Sequence, residues 1–411
     1  MALPAGPAAV SKLDPSPALD ELAARVASET VAEFAAAGLT EDGLSIAIID
    51  LTDPTPVSSF PAGGYRADVS YYPCSVVKLC FLSYYEAQKQ AGKLADSPEL
   101  ARAVKDMITV SSNDATGFVV DSITGTTSGP EIADGREWEK WKTRRNAVND
   151  FYRGRGYANL NANQKTFCED AYGREQAFRD GGKNRNRMTA AESARIFKEI
   201  VRGEVAGPAF TDEALVLLSR DITGEKPLEE GEPEDARLAG QGLPRGSRVW
   251  AKSGDAYDFH HLVSRIALPN GADFVLAVFT QGVKTVPGVI PRAYEKVAAH
   301  FAARRNDAVA DQPAGDDLPV LRPGRHGHDP LVPVCQDRQD HPAVPERVRK
   351  RHASSEKLFP PVSMQRVDAD RGPQPQDPET HGGVRQAEAD RSSLRGGARR
   401  SARPPSRTRA G

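Results

Sequence analysis

Cysteine is scarce: four residues in 411, Cys74, Cys80, Cys168 and Cys335, with no CxxC pair and no zinc-ligand spacing. Cys74 and Cys80 flank a predicted helix start and are expected as small buried apolar side chains, a usage that fits a reducing compartment. No apolar run approaches the ~18 residues that a membrane-spanning helix needs. Met1 to Pro17 lacks a basic segment followed by an apolar one, so the chain as written carries no export signal. Charge of one sign is missing too. The formal net charge is -2, which removes any bulk electrostatic case for nucleic acid or membrane partners. Histidine offers little more: five of the eight, His326, His328, His341, His352 and His381, fall in the last quarter of the chain without ligand spacing in a predicted element. No metal site and no cofactor are expected.

What is present is an ordered block between two biased ends. Residues 1–17 are Ala/Pro-rich and read as an unstructured leader. Residues 306–411 are rich in Arg, Pro, Asp, Gln and His, a composition that cannot bury enough surface to offset ordering entropy. That tail is expected to be disordered, or to be out-of-frame translation of GC-rich DNA. Its end, Arg391 to Arg409, holds seven arginines and no acid. Contact with nucleic acid is physically possible there, but a solvated tail is the expectation.

Between these ends the patterns alternate. Leu19, Leu22, Val26, Val31 and Phe34 mark an amphipathic helix from Ala18 to Ala37, closed by Gly38. Leu44 to Leu51 is strand-like, and a second strand runs near Val57 to Phe60, before Gly63-Gly64. Helices dominate from Ser75 to about residue 200. One ends at Met107 to Val110, and another is expected from about Glu131 to Tyr152 with Trp138 and Trp141 as packing residues. A polar loop from Asn159 to Arg187 leads to a capping box, Thr189-Ala190-Ala191-Glu192. Residues 221–246 read as a surface loop. Three strands follow, Arg248 to Gly254, Phe259 to Leu268 and Ala272 to Thr280, with Pro269-Asn270-Gly271 as a hairpin turn. An amphipathic helix from Ile290 to Arg305 closes the block. Strands at both ends with helices between predict an α+β fold: one antiparallel sheet assembled from distant segments, flanked by terminal helices, with a helical insert at about 75–246.

Three short motifs carry chemistry. In Ser75-Val76-Val77-Lys78 the two polar side chains lie on one helix face, a turn apart. A serine hydroxyl is a poor nucleophile until a neighbour takes its proton, and a partly buried lysine can do so. Alone the pair reads equally well as a helix cap with a snorkelling lysine. Ser111-Ser112-Asn113 could be a helix N-cap, and Lys252-Ser253-Gly254 an exposed strand end. Their order and their placement at a helix start, an inter-helix loop and a strand make the set specific.

In these motifs the chain resembles the penicillin-recognising serine hydrolases, closest to the class A β-lactamase-like branch, over residues 18–305. The resemblance implies an acyl-enzyme at Ser75, with Lys78 as proton acceptor or relay and Ser111 passing the proton to the leaving nitrogen. It implies that Asn113 binds the substrate amide, that Lys252 supplies positive potential and that Ser253 binds the substrate carboxylate. Gly254 would let a substrate lie close to the strand, and the backbone N–H groups of Ser75 and Asp255 would form the oxyanion hole. The implied protein is a monomeric serine hydrolase acting on a small β-lactam or peptidoglycan-like substrate, linked to antibiotic resistance and placed in the periplasm or secreted. A D-alanyl-D-alanine peptidase-like penicillin-binding protein with slow deacylation, or a non-catalytic protein retaining the fold, are the alternatives.

The departures bear on the second half of the reaction. The Glu-x-x-Leu-Asn motif of class A enzymes is absent. Glu175 stands nearest the expected place, Glu169 is the other candidate, and a chain with neither competent would release its acyl group slowly. The stretch from Asp121 to Asn163 is longer than a class A enzyme needs. Asp255, acidic beside an anion-binding strand, predicts weak affinity for ordinary penicillins.

Overall fold

The computed structural model describes residues 9–52, 59–167, 170–228, 235–284 and 286–310. The chain divides into two units, Met1–Leu321 and Arg322–Gly411, and the second lies wholly outside the described residues. The readings made for the tail from 311 onwards, for Cys168, for Cys335 and for Glu169 therefore also lie outside them.

The first unit is α+β. Its elements in chain order are β1 (Lys12–Pro15), α1 (Pro17–Phe34), β2 (Leu44–Asp50), β3 (Ser59–Tyr65) and β4 (Ser70–Tyr71). Helices α2 (Lys78–Gln90), α3 (Pro98–Thr109), α4 (Asn113–Thr124), α5 (Gly135–Arg145), α6 (Ala147–Gly154) and α7 (Gly173–Arg179) follow. Then come β5 (Met188–Thr189), α8 (Ala190–Val201), α9 (Pro208–Leu218), β6 (Ser219–Arg220), α10 (Asp235–Gly240), β7 (Arg248–Ala256), β8 (Phe259–Ala267), β9 (Asp273–Gln281) and α11 (Val289–Ala310).

Seven strands form one sheet in the order β1-β3-β2-β9-β8-β7-β6, and β4 pairs with β5 separately. Every pairing in the large sheet is antiparallel except β1 on β3. Strand alternation splits the core into two apolar layers. Ile46, Ile48, Leu262, Leu276 and Val278 pack with α1 and with Tyr294, Val297 and Phe301 of α11. Ala47, Ile49, Val263, Val275, Ala277 and Phe279 belong to the layer of α2 and α8. The apolar side chains of α2 after Lys78, Leu79 to Leu82, hold the helix in this layer.

Several local expectations change. Residues 12–15, expected within an unstructured leader, form β1, because their backbone pairs in register with Ser59 to Ala62 at the sheet edge. Gly63 and Gly64 lie inside β3 rather than after it. A Cβ on Gly63 would come within 2.7 Å of the Asp20 amide on α1, and one on Gly64 within 2.5 Å of the Ile46 carbonyl. Glycine is what lets helix and strand meet there. The helix expected from Glu131 to Tyr152 is two, α5 and α6, divided at Asn146, whose Oδ1 accepts from Asn149 and Asn163. Trp141 is buried and stacks on Trp138, as packing residues should. The loops at 159–187 and 221–246 contain α7 and α10. No described helix is long and apolar enough to cross a membrane.

The capping box forms as the sequence predicts. Thr189 Oγ1 accepts from the Glu192 amide at 3.0 Å, and Glu192 Oε2 accepts from the Thr189 amide at 3.1 Å. Thr189→Ala is therefore expected to lower urea-measured stability by about 1 kcal/mol, with Thr189→Ser close to wild type. Equal stability of all three proteins would contradict this assignment.

Candidate active site

Ser75 lies in a short 3-10 turn, Cys74–Val77, feeding into α2 at Lys78. Ser75 is half-buried, whereas Lys78 is fully buried. Cys74 carries φ 49°, a left-handed value costly for a non-glycine residue, so surrounding contacts must hold the turn. One holder is His261 on β8. Its Nδ1 lies 3.3 Å from the Thr280 amide, which can only donate, so Nε2 carries the proton and donates to the Tyr72 carbonyl at 3.0 Å. The ring stacks on Phe279 at 4.1 Å between centroids. Burial pushes the imidazole down to about 3, so it stays neutral. Cys74 and Cys80 are free buried thiols, and burial pushes Cys74 up to about 12, which suits packing rather than reactivity.

The three motifs converge. Lys78 Nζ lies 3.0 Å from Ser75 Oγ, 2.9 Å from Asn113 Oδ1, 2.6 Å from the Ser111 carbonyl and 3.1 Å from Ser111 Oγ. On the other side of that hydroxyl, Lys252 Nζ donates to Ser111 Oγ at 2.9 Å and to the Ser253 carbonyl at 3.0 Å. Of the two loop serines, Ser112 is the helix cap: its Oγ accepts from the Ala115 amide at 3.1 Å. Ser111, at φ 56°, turns toward the two lysines instead. The strain sits where the two amines share one hydroxyl.

Gly254 has a role the sequence did not suggest. A Cβ there would stand 2.7 Å from the Pro73 carbonyl and 2.9 Å from the Ser75 amide. Its bare backbone lets β7 close on the turn that carries Ser75. Asp255 is not an isolated negative charge, because Lys284 pairs with it at 2.8 Å. The pair is partly exposed, so it adds little stability, yet it offsets the charge expected to oppose an anionic substrate.

Glu175, the candidate base, lies on α7. It is 1 % exposed, and both oxygens are occupied. Arg145 donates from Nη1 to Oε2 at 3.0 Å and from Nη2 to Oε1 at 2.7 Å, while Ser128 Oγ donates to Oε1 at 3.0 Å. Lys165 stands 3.5 Å from the same oxygen, and Arg145 also holds Asp121. Arg145 comes from α5, within the stretch that is longer than the resemblance requires. Helix α5 supplies the cation that binds this carboxylate. Arg145 of α5 thereby cross-links Glu175 of α7 to Asp121 of α4.

A third cluster was not anticipated. Arg185 lies between the rings of Tyr72 and Tyr257, at the end of β7 beyond Gly254. Among the described residues no group of three or more His, Cys, Asp or Glu side chains could hold a metal ion.

The sequence profile of the beta-lactamase enzyme family matches residues 95–301, half of the chain, and the chain belongs to that family. The matched span includes Ser111, Asn113, Glu175 and Lys252 to Asp255, but begins after Ser75 and Lys78. Solved structures of similar shape include a variant of PBP-A in an acyl-enzyme complex with penicillin G, 17% identical over 71% of this chain and 98% of that one, with a TM-score of 0.49. The beta-lactamase from Sphaerobacter thermophilus DSM 20745 is 18% identical over 70% and 99%, with a TM-score of 0.47. The class A beta-lactamase of the last common ancestor of Gram-negative bacteria is 20% identical over 69% and 99%, also at 0.47. No curated protein sequence matches.

Two outcomes are expected. Gly254→Ala should lower urea-measured stability by about 1–3 kcal/mol, the cost of forcing an extra methyl into a close-packed contact; unchanged stability would contradict the close-approach account. For His261, the folded-state value lies below the ordinary 6.5. Its contribution to stability is thus complete above pH ~6.5 and is lost as pH falls toward ~3. Imidazole NMR shifts should show a neutral ring down to pH ~4, and a titration midpoint near 6.5 would overturn the burial argument.

Proposed function

We propose that the protein is a serine hydrolase that forms an acyl-enzyme at Ser75 with β-lactams or related acyl donors and releases the acyl group slowly. The observation that carries the first part is the continuous path Ser75 Oγ, Lys78 Nζ, Ser111 Oγ, Lys252 Nζ, each step within hydrogen-bond reach.

In the proposed cycle the neutral Lys78 amine takes the Ser75 proton as Oγ bonds to the acyl carbon. An amine has two hydrogens and one lone pair. The Ser111 carbonyl and Asn113 Oδ1 can accept the two hydrogens, which leaves the lone pair for the Ser75 hydroxyl. The carbonyl oxygen becomes an oxyanion facing the Ser75 and Asp255 amides. When the C–N bond breaks, Ser111 gives its proton to the leaving nitrogen and recovers one from Lys78. Lys252 and Ser253 meet the carboxylate on the leaving side, and Asn113 meets the amide on the acyl side.

Slow release is supported by Glu175, whose oxygens are held by Arg145 and Ser128. In this reading Glu175 is a structural anchor. With a chromogenic cephalosporin the wild type should give a burst of about one equivalent and then stall, and Ser75→Ala should give none. Steady turnover would remove the slow-release half, and a burst that persists in Ser75→Ala would remove the nucleophile. Glu175→Gln should lower stability by about 3 kcal/mol, the scale for breaking a buried ion pair, while the burst remains.

A further inference from the structure

The acylation chemistry leaves one cation unexplained. Arg185 follows α7, and its guanidinium carbon sits 4.1 Å from the Tyr72 ring centroid and 4.5 Å from that of Tyr257. The two rings meet edge-on at 5.9 Å. Tyr257 occupies the β7–β8 turn at φ 57°, a left-handed value that bulky residues rarely adopt, and remains 63% exposed. A strained backbone carrying an exposed ring makes sense if the ring clamps a cation in place.

The clamp adjoins a small polar cleft of about 40 Å³, lined by three cations, Lys165, Arg179 and Arg185, one acid, Asp170, and the amides Gln164 and Asn186 beside the two tyrosines. Such a volume admits a carboxylate or a water or two, not a ring. Two of its cations are already committed, Lys165 to Asp121 and Arg179 to Asp170. Among the described residues Arg185 has aromatic partners and no carboxylate partner.

Its position along the strand gives the cleft a direction. Beyond Ser253, β7 runs three more residues to Ala256, roughly 10 Å at about 3.3 Å per residue, and Tyr257 follows in the turn. A substrate lying along β7 with one carboxylate at Lys252 and Ser253 passes Ser75 and reaches the clamp with its acyl side chain. We propose that Arg185, held by Tyr72 and Tyr257, is an anion subsite for that side chain, so that preferred acyl donors carry a second carboxylate on the acyl side of the scissile amide. This rests on the reading of Ser75 as the acylated residue.

Benzylpenicillin and α-carboxybenzylpenicillin differ by one side-chain carboxylate and provide the test. Second-order acylation constants for both are measured by intact mass on the full chain. The ratio of the carboxylated to the neutral compound should fall at least about tenfold in Arg185→Gln, the scale of one lost hydrogen bond to a charged group. Tyr257→Ser, on an exposed turn, should lower the same ratio by releasing the clamp, and added salt should lower it in the wild type. Acylation of Arg185→Gln by both compounds with a ratio within twofold of wild type overturns the subsite alone. If Arg185→Gln does not fold, the ratio in Tyr257→Ser decides in the same way. No adduct on the wild type with either compound overturns the Ser75 reading and the subsite with it.

Discussion

The site depends on one buried amine. Lys78 Nζ is the point at which the nucleophile turn, the α3–α4 loop and the start of α4 are tied together, through Ser75, Ser111 and Asn113. Burying a lysine is costly unless its hydrogen bonds are met, and here each partner comes from a segment placed by a different part of the fold. The turn at Ser75 is pressed from behind by β7 at Gly254 and fixed at Tyr72 by His261. The loop is set by the Ser112 cap, which leaves Ser111 strained and facing both lysines. Removing the amine would leave three segments without a common partner.

A second polar centre, Arg145 with Glu175 and Asp121, organises the other wall. Both centres are buried, but they differ in kind. Around Lys78 the partners are two hydroxyls, which can pass a proton, and a carbonyl and an amide oxygen, which only accept hydrogen bonds. Around Glu175 the partners are a guanidinium, a hydroxyl and an ammonium, donors that fix the carboxylate in place. The first arrangement suits proton movement and the second suits cross-linking. That contrast, more than the missing Glu-x-x-Leu-Asn motif, is the physical ground for separating attack from release.

The three-motif constellation was legible because its order and spacing survive at the level of residues: Ser75 and Lys78 share a face, and Lys252 to Gly254 lie on a strand. The β7, β8 and β9 hairpins were legible from alternation and from Asn270-Gly271. Other features need tertiary contacts to be seen. The role of Gly254 depends on a turn 180 residues earlier in the chain, and Gly63 on a helix packed across its strand. The fate of Glu175 was hidden because its partner Arg145 sits thirty residues away in a helix that the sequence merged with its neighbour. Asp255 looked like an obstacle to anion binding because Lys284 is brought beside it only by the closing of the sheet. Arg185, in a loop of many polar residues, gave no sequence signal; the left-handed turn at Tyr257 that exposes it is a property of the backbone.

The central claim is that Ser75 takes the acyl group and that Glu175 does not help remove it. Its most direct test is a mass-spectrometric chase: the full chain receives one equivalent of benzylpenicillin, the adduct is mapped to a peptide, and its decay is followed. The account predicts an adduct on the peptide containing Ser75 that persists after free drug is gone, with the same lifetime in Glu175→Gln as in wild type. An adduct on another residue, or one that vanishes quickly in wild type and persists in Glu175→Gln, would contradict it.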